Sequence, residues 1–320
     1  MRRVCLFAQF DPRHRIPPHV VTYVGHLQRC GYHTVVACSG SRLPPKDDRD
    51  ALTATGAAMV FRPNHGLDFG AWQQLIREGH TEGADTVLLA NDSVFGPFSD
   101  LAPIIARMDA KGLDVWGMIE SRQHRWHLQS WFLQFSARAF NADSVARLFQ
   151  QPFATMSKHK IIENGELALG AALQDEGLRC GAVIGTRDAT WLARRRPINQ
   201  MHLDWRYNLT SGRLPFIKAD LLRANLMNIP WAREWEGVVA KAFDVPTAEI
   251  NARLFEYTGR VPDHPGQSYP VPTRKIDLDM LTFYALCSRD RGPAIRALMR
   301  GLKSALLKSD GRSAPAMHAG

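Results

Sequence analysis

The sequence predicts an α/β fold: a mostly parallel sheet flanked by helices, with a C-terminal helical extension. Three observations predict it. Short apolar or β-branched runs alternate with helical patterns through the first part of the chain,. Each connection carries a helix, as a right-handed crossover between parallel strands requires. From about Ile229 onward the apolar spacing is helical and strand patterns stop.

The elements follow in order. Residues 4–10 form a first strand, and Pro17-Pro18 opens a helix whose Val20, Val21, Val24 and Leu27 fall on one face, closed by Gly31,. Residues 34–38 are a second strand, 47–55 a short helix ended by Gly56, and 57–61 a third strand,. The third strand runs into Arg62-Pro63-Asn64-His65-Gly66-Leu67-Asp68-Phe69-Gly70-Ala71-Trp72. Glycines after a strand and before a helix let backbone approach a ligand or take positive φ. Asp68 is placed to accept from a ligand or to cap the helix that buries Trp72, Leu75 and Ile76,.

Val87-Leu88-Leu89-Ala90 is a continuous apolar run, which suits a strand buried on both faces,. It stops at Asn91-Asp92-Ser93, and Gly96-Pro97 turns the chain away, with Ser99 placed to cap the next helix,. A carboxylate is thereby expected at the C-terminal end of a central parallel strand, where open α/β sheets bind ligands. By itself the pattern is equally an Asx-turn.

Leu101, Ile104, Ile105 and Met108 mark another helix, and residues 115–119 a fifth strand. His124, Arg125, Trp126, His127 and Gln129 then crowd a loop before a strand at 130–135. The two histidines lack a third ligand at a defined spacing, so they make a poor metal site. In the helix expected over 158–177, Ile162, Leu169 and Leu173 share a stripe with Glu166, and Glu163 lies one turn earlier,. A carboxylate on an inward face is costly unless it meets a cleft or a basic partner. Arg194-Arg195-Arg196 reads either as a solvated run or as a phosphate contact, and Pro215 as the start of a helix with Lys218 near its first turn,.

The chain has 320 residues, enough for one large core or for one domain with a smaller appendage,. Its 40 Lys and Arg against 31 Asp and Glu leave a net charge of +9, which suits an anionic partner,. No nucleic-acid motif is present and the aromatics are not interleaved with the basic residues, so no nucleic-acid partner is expected. The cysteines are odd in number (Cys5, Cys30, Cys38, Cys180, Cys287) and none are close in sequence. This argues against a disulfide framework and for a cytoplasmic location. The apolar N-terminus is too short for a signal peptide, and no run approaches a membrane span, so any membrane association is expected to be peripheral. The last helix, with Arg296, Arg300, Lys303 and Lys308, is basic and amphipathic, which suits either an anionic membrane surface or ordinary packing,. The expected organisation is an α/β domain over residues 1–228, a helical extension over 229–308 and a disordered tail over 309–320.

Several of these stretches together resemble the rhamnan synthesis protein F family of bacterial glycosyltransferases. They are residues 64–72, 88–97, Trp116-Gly117, His127-Leu128-Gln129-Ser130-Trp131-Phe132, Glu163-Asn164-Gly165-Glu166-Leu167 and Pro215-Phe216-Ile217-Lys218, in the family's order. The resemblance covers roughly the first 225 to 235 residues and leaves the C-terminal helices aside. It implies a GT-A-like, Rossmann-type transferase that uses a nucleotide-sugar donor, with rhamnose suggested by the family name. The acceptor it implies is a growing surface polysaccharide (O-antigen or rhamnan), lipid-linked, on the cytoplasmic side of the inner membrane.

On that scheme Asp92 holds the donor diphosphate through a divalent cation, Mg²⁺ or Mn²⁺. Asn91-Asp92-Ser93 stands where two aspartates are usual, which leaves the metal open. Arg62, Asn64, Gly66, Asp68, Asn91 and Ser93 complete the donor site, with Arg62 and the Arg194–Arg196 run as candidate diphosphate contacts. Glu166, then Glu163, is the candidate base. His127, Gln129, Trp131 and Lys218 contact acceptor or sugar. The alternative is a catalytically silent sugar-nucleotide-binding partner in polysaccharide assembly, favoured if Glu166 is locked in a buried ion pair.

Overall fold

The computed structural model describes residues 1–310, with side chains through residue 303. Among the described residues there are ten strands: β1 (Arg3–Phe10), β2 (Tyr32–Ser39), β3 (Ala58–Arg62), β4 (Thr86–Asn91), β5 (Val94–Phe95), β6 (Val115–Ser121), β7 (His127–Leu128), β8 (Phe132–Ser136), β9 (Cys180–Ile184) and β10 (Ile217–Lys218). Eight form one sheet in the order β3-β2-β1-β4-β8-β6-β7, with β9 on the other side of β6. The pairs β2–β3, β1–β2, β1–β4 and β6–β9 are parallel, and β8 runs antiparallel to both β4 and β6. The expected central parallel strand is therefore parallel to its neighbour on one side only. The cause is local: β6 turns back through β7, and the returning chain enters the gap between β4 and β6 as β8.

Side chains alternate across a strand, so a strand buried on both faces feeds two cores. Cys5 and Phe7 of β1 and Leu88 and Ala90 of β4 point into one core. It is completed by α1 (Pro18–Arg29) with Val20, Tyr23, Val24 and Leu27. Val4, Leu6, Val87 and Leu89 point into the opposite core, closed by α3 with Trp72 and Leu75 and by the helix Ala168–Asp175 with Leu169 and Leu173. Here α2 is Lys46–Thr53, α3 is Leu67–Arg77 and α4 is Ala102–Asp109. Asp100, rather than Ser99, accepts the Ala102 N–H at the start of α4.

Three further expectations change. The helix expected over 158–177 is broken: Lys158–Ile161 is α-helical, Ile162–Leu167 is a π-turn, and Ala168–Asp175 is α-helical again. The extra residue in the turn shifts the stripe, so Ile161 is buried and Ile162 exposed,. Pro215 does not open a helix, because Ile217 and Lys218 pair antiparallel with Phe95 and Val94, and the helix begins only at Ala219. The third core cuts across the expected boundary between residues 228 and 229. It joins Phe95, Ala189, Trp205, Ile217 and Leu222 to Trp231, Trp235, Leu254, Tyr284 and Ala297. The C-terminal helices thus share a core with the region that carries β10. The last helix runs Arg291–Asp310, and the rest of the expected tail, 311–320, lies outside the described residues. Among the described residues no helix is long and apolar enough to cross a membrane.

Candidate active site

The strand ends dictate the geometry. In the parallel pair β1–β4 the register stops at Ala8 opposite Asn91, while β1 continues to Phe10. The Phe10 N–H, left without a strand partner on that side, donates to Asp92 Oδ2 at 3.0 Å. The other oxygen of Asp92 takes no hydrogen bond among the described residues and borders a cleft of about 620 Å³. Burial pushes the Asp92 carboxyl up to about 7; Asp68 and Asp11 add to this, against the Phe10 N–H and Arg253,.

Asn91 is oriented by its neighbours. Its Nδ2 donates to Asp68 Oδ2 at 2.6 Å, and its Oδ1 accepts from Ser93 N–H at 3.1 Å and from Ser93 Oγ at 2.6 Å. Asp68 sits in the first turn of α3 and makes no capping bond there. Burial raises its pKa, against its own N–H and the Lys218 charge. The β5–β10 register places Lys218 opposite Val94, so that Lys218 Nζ donates to Ser93 Oγ at 2.8 Å. The ammonium also lies 5.7 Å from the centre of the Trp131 ring,. Burial lowers the Lys218 pKa, opposed by Glu166, Asp220 and Asp68.

Glu166 faces the same cleft from the π-turn. Its Oε2 accepts the Ser130 N–H at 2.9 Å and the Ser130 Oγ–H at 2.5 Å. Its Oε1 accepts no hydrogen bond among the described residues, and His127 Nε2 is 3.5 Å away. The other ring nitrogen of His127 is 3.0 Å from the Arg125 carbonyl. The π-turn packs Gly165 against Phe69, where a Cβ would come within 2.9 Å of the ring. That contact ties the Glu166 segment to the first turn of α3, which carries Asp68. π-Turns inside helices often coincide with functional sites.

The cleft therefore brings together Asn64, Asp68, Asn91, Asp92, Ser93, His127, Gln129, Glu166 and Lys218. It does not bring in the other candidates. Arg62 is buried beneath the loop, where it donates to Gln74 Oε1, Ser39 Oγ and the His65 carbonyl at 3.0, 3.0 and 2.6 Å. It braces the turn and does not line the cleft. Gly66 has φ +75, and a Cβ there would come within 3.0 Å of the Phe153 and Gly70 backbone, so the turn requires a glycine; it is absent from the cleft lining,. Trp131 is buried under Lys218 and Phe216 and holds Gln129 through its Nε1–H at 3.1 Å. Glu163 is exposed and outside the cleft lining. The Arg194–Arg196 run is also elsewhere; Arg194 lines a separate hollow.

Several lining residues escaped the sequence reading. Arg253, from the helix Ala248–Thr258, is buried and meets Asp11 Oδ2 at 2.5 Å. Tyr257 of the same helix lies under Arg223, whose guanidinium is 3.9 Å from the ring centre. His19 packs edge-on to Phe95 at 5.0 Å. Burial, and then Arg253, press His19 down to about 3. Burial, helped by Lys218, takes His202 down to about 4. Both histidines are neutral donors or acceptors at physiological pH. Asp11, directly after a strand end, was a readable signal; Arg253 and Tyr257 reach the cleft only through tertiary packing.

Among the described residues no group of three or more His, Cys, Asp or Glu side chains is placed to hold a metal ion. Asp92 and Asp68 supply two carboxylates at most, short of the roughly six oxygens Mg²⁺ demands. The residues present do not make a self-sufficient site.

The family model for rhamnan synthesis protein F matches residues 35–257. The chain belongs to that family. The match starts in β2 and runs through the helix Ala248–Thr258, so the family region includes Arg253 and Tyr257 as well as the residues on the sheet. A virulence protein, VirA, of Vibrio anguillarum is 28% identical over 201 residues, covering 53% of this chain and 64% of that protein. The chain thus spans less than two thirds of the curated relative's length. Among solved structures, the glycosyltransferase GlyE of Streptococcus pneumoniae is 12% identical, with a TM-score of 0.42 over 86% of this chain and 67% of that one. Glucosyl-3-phosphoglycerate synthase of Mycobacterium tuberculosis, solved with Mg²⁺ and uridine diphosphate, is 12% identical, with a TM-score of 0.33 over 57% and 69%.

Proposed function

We propose that this chain is a glycosyltransferase that moves a deoxyhexose, rhamnose by the family's name, from a nucleotide-sugar donor to a growing surface polysaccharide. One observation carries the reading. Asp92, Asp68, Lys218 and Glu166, drawn from four separate elements, face one cleft within a family of rhamnan synthesis. Glu166 is not locked to a lysine or arginine among the described residues, which favours an enzyme over a silent binding partner.

The chemistry is a single displacement with inversion. Glu166 Oε1 takes the proton of the acceptor hydroxyl, and the acceptor oxygen attacks the anomeric carbon. The bond from that carbon to the diphosphate oxygen breaks, and the nucleoside diphosphate leaves with the electron pair. Lys218, with Arg253 and Arg223 at the far side of the cleft, offsets the charge that develops on the leaving group,. Asp92 and Asp68 bind sugar or ribose hydroxyls, or would hold a divalent cation that offsets diphosphate charge. His127 and Gln129 orient the hydroxyls. The acceptor is a lipid-linked or polysaccharide chain met on the cytoplasmic side of the membrane.

A thermal-shift screen against nucleotide sugars and free nucleoside diphosphates tests this. A ligand at a hundred times its Kd adds about 2.7 kcal/mol of stability, a rise of several degrees in the midpoint. One base and one sugar should stand out. A flat response across uridine, guanosine and thymidine diphosphates and their sugars would reject the donor site. Donor binding without transfer to any lipid-linked glycan would reject the enzyme and leave the silent partner.

A further inference from the structure

The exposed apolar residues of the last helix are not scattered. In Arg291–Asp310, Ala294 and Ala297 are buried against the rest of the protein. Ile295, Met299 and Leu302, at i, i+4 and i+7, form an exposed stripe, with Ile295 48% and Met299 61% accessible,. Arg296, Arg300 and Lys303 form a second exposed stripe about 100° around the same helix,. Arg296 is held loosely at 3.7 Å from Glu234, and both side chains remain part-exposed. At the start of this helix lies a hollow of about 440 Å³ lined by Trp191, Arg194, Tyr207, Arg289 and Arg291, with no acidic residue in its lining. Trp191 is 62% exposed, with the Arg195 guanidinium 4.3 Å from its ring centre. The Thr190 hydroxyl in the lining of the hollow donates to the Cys287 carbonyl, at the end of the helix Leu278–Cys287, at 3.0 Å.

We infer that this face docks on an anionic lipid bilayer. Trp191 and the Ile295–Met299–Leu302 stripe enter the headgroup boundary, and Arg194, Arg289 and Arg291 receive headgroup phosphates. An exposed Trp beside arginines, next to an amphipathic helix with a basic flank, is the chemistry of an interfacial anchor. A second copy of the chain is the poorer occupant, because it would bring the same cations face to face. A nucleic acid would take the arginines but leave Ile295 and Met299 in water. The surface lies apart from the cleft lining, so the inference does not rest on the proposed transfer chemistry.

The test is flotation of the full chain with phosphatidylcholine vesicles, with and without phosphatidylglycerol. Binding is expected only with phosphatidylglycerol and should weaken as salt rises. Each arginine at such a surface is worth about 1 kcal/mol, or roughly fivefold, so a triple Arg194→Gln, Arg289→Gln, Arg291→Gln variant should bind about a hundredfold more weakly. Met299→Glu should abolish flotation. All four positions are exposed, and an unchanged thermal midpoint checks that the variants fold. Binding that ignores phosphatidylglycerol, a triple variant that floats like the parent, or no flotation together with dimerisation lost in Met299→Glu would each overturn the inference.

Discussion

Replacing Glu166 by Gln isolates one chemical step. The Ser130 N–H and hydroxyl both converge on Oε2, and the Gln carbonyl oxygen can accept both. The new amide then occupies the place of Oε1, which takes no hydrogen bond among the described residues. Two hydrogen bonds change from charge-assisted to neutral, at about 1 kcal/mol each, so a stability loss of roughly 2 kcal/mol and a few degrees is expected. Loss of a general base lowers turnover by about 10²- to 10⁴-fold, or roughly 3–5 kcal/mol of barrier. The assay is release of nucleoside diphosphate from the donor identified by thermal shift, with and without acceptor, alongside calorimetric titration of that donor. Turnover should collapse while the donor Kd stays within a few-fold of the parent. Glu163→Gln is the control: it is exposed, outside the cleft lining, and should keep full turnover. If Glu166→Gln turns over within tenfold of the parent, or loses donor binding, the base assignment fails.

Three further outcomes follow from the same geometry. The Asp92 carboxyl, raised to about 7 by burial, favours the folded state while protonated, so that contribution is complete below about pH 4 and is lost as pH rises through 7,. Thermal midpoints of the ligand-free protein across that window should show this component, and Asp92→Asn should remove it; an unchanged pH profile would contradict the placement. Arg253→Met leaves the Asp11 carboxylate buried without its 2.5 Å partner, at a cost of about 3–5 kcal/mol, and calorimetry should show one cooperative transition moving down rather than a separate C-terminal one,. Asn91→Asp puts a carboxylate against Asp68 in place of an amide donor; the midpoint should drop by a few degrees without metal and be restored by Mn²⁺ with a nucleoside diphosphate more strongly than in the parent, and equal responses of the two proteins would refute a phosphate-assisted cation site,.

The sheet was legible because its signal is periodic. Short continuous apolar runs such as 87–90, bounded by turn residues, suit strands buried on both faces, and their residues do divide between two cores,. The site was half legible. Asn64, Asp68 and Asp92 follow strand ends, and chain order alone puts them at one edge of the sheet. Arg62 and Trp131 share that neighbourhood in sequence, but nothing local separates an arginine that meets a ligand from one satisfied by Ser39, Gln74 and a carbonyl. Glu166 was placed inward by a 3.6-residue stripe anchored on Ile162. The π-turn exposes Ile162 and still delivers Glu166 to the cleft, so the conclusion stands on different geometry. At Pro215 a local helix-start signal lost to pairing with β5, a contact that no local window contains. Helical spacing after about Ile229 was visible, but the reach of the helix Ala248–Thr258 to Asp11 was not.

The departure at Asn91-Asp92-Ser93 now has a physical account. A second carboxylate is present, but it is Asp68, delivered by α3, and Asn91 is what holds it. The Asn91 amide must give its N–H to Asp68 and its oxygen to Ser93, and an aspartate could do only the latter,. Ser93 in turn accepts from Lys218, so one hydrogen-bonded path links the Asp68 carboxylate to the Lys218 ammonium. Burial weakens the charge on both ends: it raises Asp68 and lowers Lys218. Two buried groups tethered through an amide and a hydroxyl meet each other only indirectly. On the proposed function, a diphosphate on the Lys218 side and a cation or hydroxyl pair on the Asp68–Asp92 side would offset the burial of both groups together,. Acidic and basic groups thus border one cleft, and the proposed donor, a sugar joined to a diphosphate, offers a complement to each.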